Sequence, residues 1–217
     1  MTTVDRKHSA REPLDEARMV AAAHDLAARD PDLAAIVARF GPPPLWARPP
    51  GFSTLIYIIL EQQVSLASAR AAYDRLLALA DPLTPVSFLA LDDAALRAAG
   101  FSRQKTAYGR HLAQGVLSGQ LDLEALAGLD DDDVRARLTA VKGIGRWTAD
   151  VYLLMALLRP DVWPIGDLAL VTAVQRVKRL EQRPGGAAMI AMGEAWRPWR
   201  AVAARLFWVH YLTAAKR

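Results

Sequence analysis

Cysteine is absent from this 217-residue chain. That excludes disulfides, thiolate nucleophiles, cysteine zinc sites and cysteine-held iron–sulfur clusters. Lysine is scarce: it occurs only at Lys7, Lys105, Lys142, Lys178 and Lys216, so arginine carries most of the positive charge. No run of about 20 apolar residues is present, which argues against a membrane span. Met1 to Arg11 is polar and holds no apolar core of a signal peptide. No window alternates apolar and polar residues with β-branched enrichment, which excludes a regular sheet. No repeat of fixed period is found. A cytoplasmic, all-α protein is the expectation.

What is present fits that expectation. Apolar residues make up 53% of the chain, enough for a substantial core, and the formal net charge is +4. A modest positive balance is compatible with nucleic-acid binding without establishing it. The length allows one large domain or two small ones sharing a core. Periodicity, caps and breakers predict helices over 13–30, 31–40, 52–63, 66–80, 85–89, 92–99, 102–117, 121–127, 131–138, 146–158, 168–180, 186–195 and 198–214. Residues 1–13 read as a disordered lead-in. The stretch from Gly41 to Gly51 holds five prolines and reads as a stiff linker with Trp46 buried against a lobe. Phe52 to Gln63 is apolar on nearly every side, as central helices are.

The chain is organised around residues 138–167. The helix over 131–138 leads into Val141-Lys142-Gly143-Ile144-Gly145-Arg146-Trp147-Thr148. Two glycines that tolerate positive φ permit a tight hairpin before the helix that starts near Arg146. Backbone N–H groups gathered at a helix N-terminus favour an anion, typically a phosphate. Lys142 and Arg146 add positive charge, and Thr148 lies within the same first turn. An ordinary connection between helices is the plain alternative for the hairpin alone. Pro164-Ile165-Gly166-Asp167 follows, with Asp167 opening the next helix. Aspartate favours the N-cap position, where the helix dipole attracts its charge, and a cap can also be a catalytic group.

In combination these motifs resemble the DNA glycosylase superfamily that carries a helix-hairpin-helix and a Gly/Pro-rich loop with an aspartate. Within it, the chain is most similar to the alkylpurine (3-methyladenine) DNA glycosylases, roughly from Phe52 to Tyr211. The resemblance implies two helical lobes with a DNA-binding cleft between them. One lobe spans 51–159 and carries the helix-hairpin-helix. The other joins 14–50 to 160–217 and carries the aspartate. The implied activity is monofunctional: flipping alkylated purines (3-methyladenine or 7-methylguanine type) out of duplex DNA and hydrolysing their glycosidic bond. The implied partner is double-stranded DNA containing damaged bases, met by a monomer that is nucleoid-associated if the source is bacterial.

The resemblance also assigns residues. Asp167 is the catalytic carboxylate, whose fixed charge would stabilise an oxocarbenium-like transition state. Asp150 supports the loop. Gln63, with Gln62 and Ser65 beside it, fills the gap left by the extruded base. The base pocket takes Trp208 as a stacking platform, with Trp147, Val151 and Leu168. An indole suits a cationic alkylated purine. Val151 and Leu168 stand where relatives can have aromatics, which points to a roomier pocket. Lys142, Gly143, Ile144, Gly145, Arg146 and Thr148 hold the DNA backbone. The carbonyls of Thr139, Val141 and Ile144 would bind Na+ or K+; no other cofactor is required. Some superfamily members carry an iron–sulfur cluster, which the lack of cysteine excludes here. Bifunctional glycosylase/lyases place a lysine directly after the Gly-x-Gly-Arg hairpin, and here that residue is Trp147. A bifunctional enzyme and a non-catalytic DNA-binding module are the rival readings.

Overall fold

Polar caps set where the helices begin. The computed structural model describes residues 12–214. In it Asp15, Asp30, Ser65, Thr84, Asp92, Ser102, Asp130 and Asp167 each accept a backbone N–H from the first turn of a helix. Each such bond satisfies a donor that the helix itself leaves unpaired.

The helices are α1 (Glu16–Arg29), α2 (Pro31–Phe40), α3 (Phe52–Glu61), α4 (Leu66–Leu79), α5 (Pro85–Ala90) and α6 (Asp93–Ala99). They continue as α7 (Arg103–Leu117), α8 (Asp131–Thr139), α9 (Arg146–Met155), α10 (Leu168–Val177), α11 (Gly186–Glu194) and α12 (Arg200–Ala214). No strand occurs among the described residues, and none of the helices is long and apolar enough to cross a membrane.

Several boundaries differ from the sequence expectation; α1 begins at Glu16 and α10 ends at Val177, each three residues short of it, and three further differences have local causes. The helix expected over 121–127 is only a 3-10 turn, Ala125–Gly128. Asp122 Oδ1 accepts the N–H groups of Glu124 and Ala125, an Asx turn that competes with helix. The helix expected to reach 158 stops at Met155; Leu158 takes φ 53°, and the Arg159 N–H returns to the Leu153 carbonyl. The central helix stops at Glu61 because Gln63 turns left-handed at φ 58°. In the linker Trp46 is half-buried rather than buried, also with positive φ. Most of the expected lead-in at 1–13 lies outside the described residues.

The chain forms two compact units. One joins the residues up to Ala47 to those from Leu153 onward; the other runs from Arg48 to Tyr152. The sequence reading drew these borders at 50/51 and 159/160. In the first unit α12 packs against α10, α2 and α1. Its core holds Trp163, Trp196 and Phe207, with ring centroids 5.0 to 6.2 Å apart. Arg205 is fully buried there, and its guanidinium donates to the carbonyls of Leu45, Ala201 and Leu154. It joins the linker, α12 and the end of α9 without a carboxylate among those partners. In the second unit α3 packs against α4 and α7, and nearly every residue of α3 is buried.

Candidate functional site

In the first unit, Trp163-Pro164 is buried and delivers the chain to Asp167. The Trp163 indole N–H is fixed on the Met189 carbonyl at 2.8 Å. The Asp167 N–H bonds the Pro164 carbonyl at 3.0 Å, which closes the turn. Asp167 then caps α10: its Oδ1 accepts the Leu170 N–H at 2.7 Å. The same oxygen accepts the Trp208 indole N–H at 3.1 Å. Two converging donors therefore hold one carboxylate oxygen in place.

That bond changes how Trp208 is read. Its ring is buried, 8% exposed, and its edge points at Asp167. Trp46 lies 6.4 Å from it at an interplanar angle of 52°. Trp208 is thus placed as a support of the carboxylate. Leu168, directly after Asp167, is 64% exposed. The other two expected pocket residues are on α9, in the second unit: Val151 is buried and Trp147 half-buried.

In the second unit, the hairpin closes through the Ile144 N–H on the Val141 carbonyl at 3.0 Å. Of the two glycines, which both tolerate positive φ, only Gly143 adopts it, at 99°. A Cβ on Gly143 would overlap the Tyr108 ring of α7. Gly145 faces open space, and its carbonyl accepts the Ala149 N–H, so it stands as the bare first cap of α9. Lys142, Gly145 and Arg146 are exposed, whereas Ile144 and Thr148 are buried. Asp150 is buried and takes Arg135 Nε at 2.6 Å, with Arg146 at 3.7 Å. It ties α8 to α9 and so fixes the hairpin between them.

Gln62, Gln63 and Ser65 do not act alike. Gln62 Nε2 donates to the Gly143 carbonyl and to Thr148 Oγ1, both at 3.1 Å. Ser65 caps α4 by accepting the Ser68 N–H. Gln63 is exposed, in the left-handed conformation, with exposed Val64 beside it. A cavity of about 330 Å³ opens between this loop, the hairpin and Gln104, Lys105 and Tyr108 of α7. The sequence gave no sign of Tyr108, since its contact to Gly143 spans 35 residues of chain that no local pattern encodes. Of the carbonyls expected to hold a monovalent cation, that of Val141 already closes the hairpin and keeps one lone pair.

An all-helical protein with a helix-hairpin-helix and a capped aspartate after a Pro-x-Gly turn defines a class of nucleic-acid-processing folds. Residues 56–200 match the family described as HhH-GPD superfamily base excision DNA repair protein. The chain belongs to that superfamily. It is 30% identical over 161 residues to DNA-3-methyladenine glycosylase 1 of Schizosaccharomyces pombe, covering 72% of this chain and 71% of that protein. The structure of the S. pombe 3-methyladenine DNA glycosylase in complex with abasic DNA superposes with a TM-score of 0.76 at 27% identity, over 86% of this chain and 94% of that one. The Bacillus subtilis protein YfjP is 32% identical over 124 residues, 57% of this chain but only 43% of its own length.

Proposed function

We propose that the chain is a monofunctional DNA glycosylase of base excision repair, which flips alkylated purines of the 3-methyladenine or 7-methylguanine type from duplex DNA and releases them by hydrolysis. The observation that carries this reading is the Asp167 carboxylate, held by the Leu170 N–H and the Trp208 indole. As the base departs, positive charge develops on the sugar, and a preorganised anion beside C1′ stabilises it. The same carboxylate orients the attacking water. Relatives named as 3-methyladenine glycosylases support the alkylated-base substrate.

The other roles follow from exposure and chemistry. Gly145, Arg146 and Lys142 offer an exposed, positively charged helix N-terminus to a backbone phosphate, which carries no sequence information. Gln63 is the exposed residue of its loop suited to fill the gap in the base stack. Leu168, exposed beside Asp167, is a candidate contact to the flipped base, with Trp208 as the support of Asp167. A Na+ or K+ ion at the carbonyls of Thr139, Val141 and Ile144 would stiffen the hairpin and take no part in the chemistry. A monomer acting in the cytoplasm is the setting this reading implies.

Hydrolysis without strand cutting is favoured over the bifunctional rival by the state of the lysines. A lyase needs an amine free to attack C1′. Lys178 Nζ is held by Asp30 at 2.7 Å and by Asp32 at 2.9 Å. The residue after Gly145-Arg146 is Trp147, which has no amine.

The test is base release from duplexes carrying alkylated, oxidised or deaminated bases. We expect alkylated purines to be released, leaving an intact abasic strand and no covalent adduct under borohydride. Asp167→Asn keeps an oxygen to accept the Leu170 and Trp208 N–H groups but turns the other oxygen into an amide donor and removes the charge, and should lose about 10²–10³ in rate or more with duplex affinity retained. Near wild-type release by the Asn variant, or a trapped adduct, overturns the reading.

A further inference from the structure

Three consecutive residues before Gln63 are each pinned by a different part of the second unit. The Leu60 carbonyl, in the last turn of α3, accepts Lys105 Nζ from α7 at 2.6 Å. The buried carboxylate of Glu61 takes Arg48 in a two-pronged pair at 2.6 and 2.9 Å. Gln62 is bound to the hairpin through Gly143 and Thr148. Only then does the chain turn left-handed and present Gln63 to solvent. α7 itself is pressed on the hairpin, because the Tyr108 ring fills the space that a side chain on Gly143 would need. Lys105 and Tyr108 both line the cavity between the loop and the hairpin.

This arrangement is more than a helix end needs. A lysine near a helix C-terminus commonly satisfies a last carbonyl. Here, however, the lysine comes from another helix, is half-buried, and accepts that burial although it disfavours an ammonium. The left-handed backbone of a residue with a Cβ must be held by its surroundings. A residue that enters a base stack also works against stacking, so any slack in its support is lost as drive.

Resting on the reading of the chain as a base-flipping glycosylase, we propose that Lys105 is a positioning residue for base extrusion: by fixing Leu60 it makes the Gln63 loop, α7 and the phosphate-binding hairpin one rigid pedestal. Phosphate capture at the hairpin and insertion of Gln63 are then one event. The Lys105 ammonium is engaged by the Leu60 carbonyl, so its loss should matter only where a base must be forced out of a stack.

The experiment compares wild type with Lys105→Met and Lys105→Arg on two substrates. One carries an alkylated purine in a normal pair; the other carries it opposite a stable abasic analogue, where it is already poorly stacked. A second readout needs no base release: 2-aminopurine fluorescence beside a stable abasic analogue reports insertion of the plug. Lys105→Met should slow single-turnover release from the paired lesion about tenfold, change release from the unpaired lesion by less than twofold, and reduce the fluorescence change. Lys105→Arg, which keeps a cationic donor, should recover most of both. Equal losses on the two substrates would mean that Lys105 serves only folding or affinity, and would overturn the proposal. So would an unchanged Lys105→Met, or a wild-type protein that gives no fluorescence response. If Lys105→Met does not fold, Lys105→Gln carries the same comparison. Should wild type show plug insertion but release no base, the glycosylase reading fails while the positioning role stands on fluorescence alone.

Discussion

In the unit that carries Asp167, the functional group we propose is a side chain and its support is other side chains. Trp208 donates to it, Trp46 packs on Trp208, and Trp163 anchors the loop ahead of it. In the unit that carries the hairpin, the functional groups we propose are backbone N–H donors, and the sequence contributes mainly by leaving side chains out. Gly143 must be small on account of Tyr108, whereas a Cβ on Gly145 would meet only open space. Chemistry on a glycosidic bond needs one charge held still, which favours a crowded, buried surround. Phosphate capture needs access and several weak donors, which favours a bare and exposed turn. Substitutions should therefore fail differently in the two places.

The largest effect is expected where the two glycines are set against each other. Gly143→Ala puts a Cβ into the Tyr108 ring at a backbone angle of 99°. Left-handed backbone costs about 1–2 kcal/mol for an L-residue, and overpacking adds about 1–3 kcal/mol. The melting temperature should fall by on the order of 10 °C, at roughly 2–4 °C per kcal/mol for a chain of this size. Gly145→Ala meets open space and should cost under about 1 kcal/mol, the ordinary loss at a cap. Its signature should instead be weaker binding to every duplex, whatever the sequence, with a steep dependence on salt. Thermal unfolding and duplex titrations on both variants decide this. Equal destabilisation by the two would erase the distinction between a packing glycine and an access glycine.

Next comes the support of the carboxylate. Trp208→Phe keeps most of the ring but removes the donor to Asp167 Oδ1. A hydrogen bond to a charged group contributes about 1.5–3 kcal/mol. If that bond fixes Asp167 in the reactive position, single-turnover base release should slow by roughly ten- to a hundredfold, at 1.36 kcal/mol per factor of ten. Affinity for undamaged duplex should stay as it was, because the hairpin is untouched. A Phe variant that instead loses binding to alkylated bases while keeping its rate on bound substrate would restore Trp208 to the role of a stacking platform.

Most helices were legible in the sequence because each begins at a polar cap and shows one apolar face, as α1, α2 and α7 do. Helix ends were less legible. They depend on which residue accepts a left-handed angle, and Gln63, Leu158 and Arg179 carry no glycine to announce it. Of the candidate sites, the hairpin and Asp167 could be found because each is a short contiguous motif. Contacts between distant segments could not. Nothing in the local pattern joins Gln62 to Gly143, Lys105 to Leu60, or Trp208 to Asp167. The bonds of Gln62 to the hairpin and of the Trp208 N–H edge to Asp167 are therefore visible only in the fold.

The smallest expected effect concerns the far end of the helix that Asp167 caps. Just past the last turn of α10, Lys178 reaches Asp30, which also accepts the Trp196 indole N–H and caps α2. Burial pushes the Asp30 carboxyl up, but the Lys178 ammonium, the Trp196 N–H and the Leu33 N–H outweigh it and hold it below the ordinary 3.8. A carboxylate with a depressed folded value contributes stability that is complete above its unfolded value and disappears as the pH falls through the folded one. Asp30→Asn keeps an oxygen to cap α2 but removes the charge facing Lys178. At pH 7 it should cost about 1–2 kcal/mol, the size of a charge-assisted bond in a partly buried place. As the pH falls below about 4, the ordinary value of an unfolded aspartate, and on through the lower value of the folded carboxyl, the two unfolding curves should draw together. Base release per folded molecule should be unchanged, because the Leu170 and Trp208 donors to Asp167 are untouched. Denaturant melts at pH 7 and pH 3, with release rates at pH 7, test all three statements. A slower Asn variant at full folding would show that the ion network at one end of α10 is felt at the carboxylate on the other, and the contrast between a locally held charge and its distant scaffold would have to be given up.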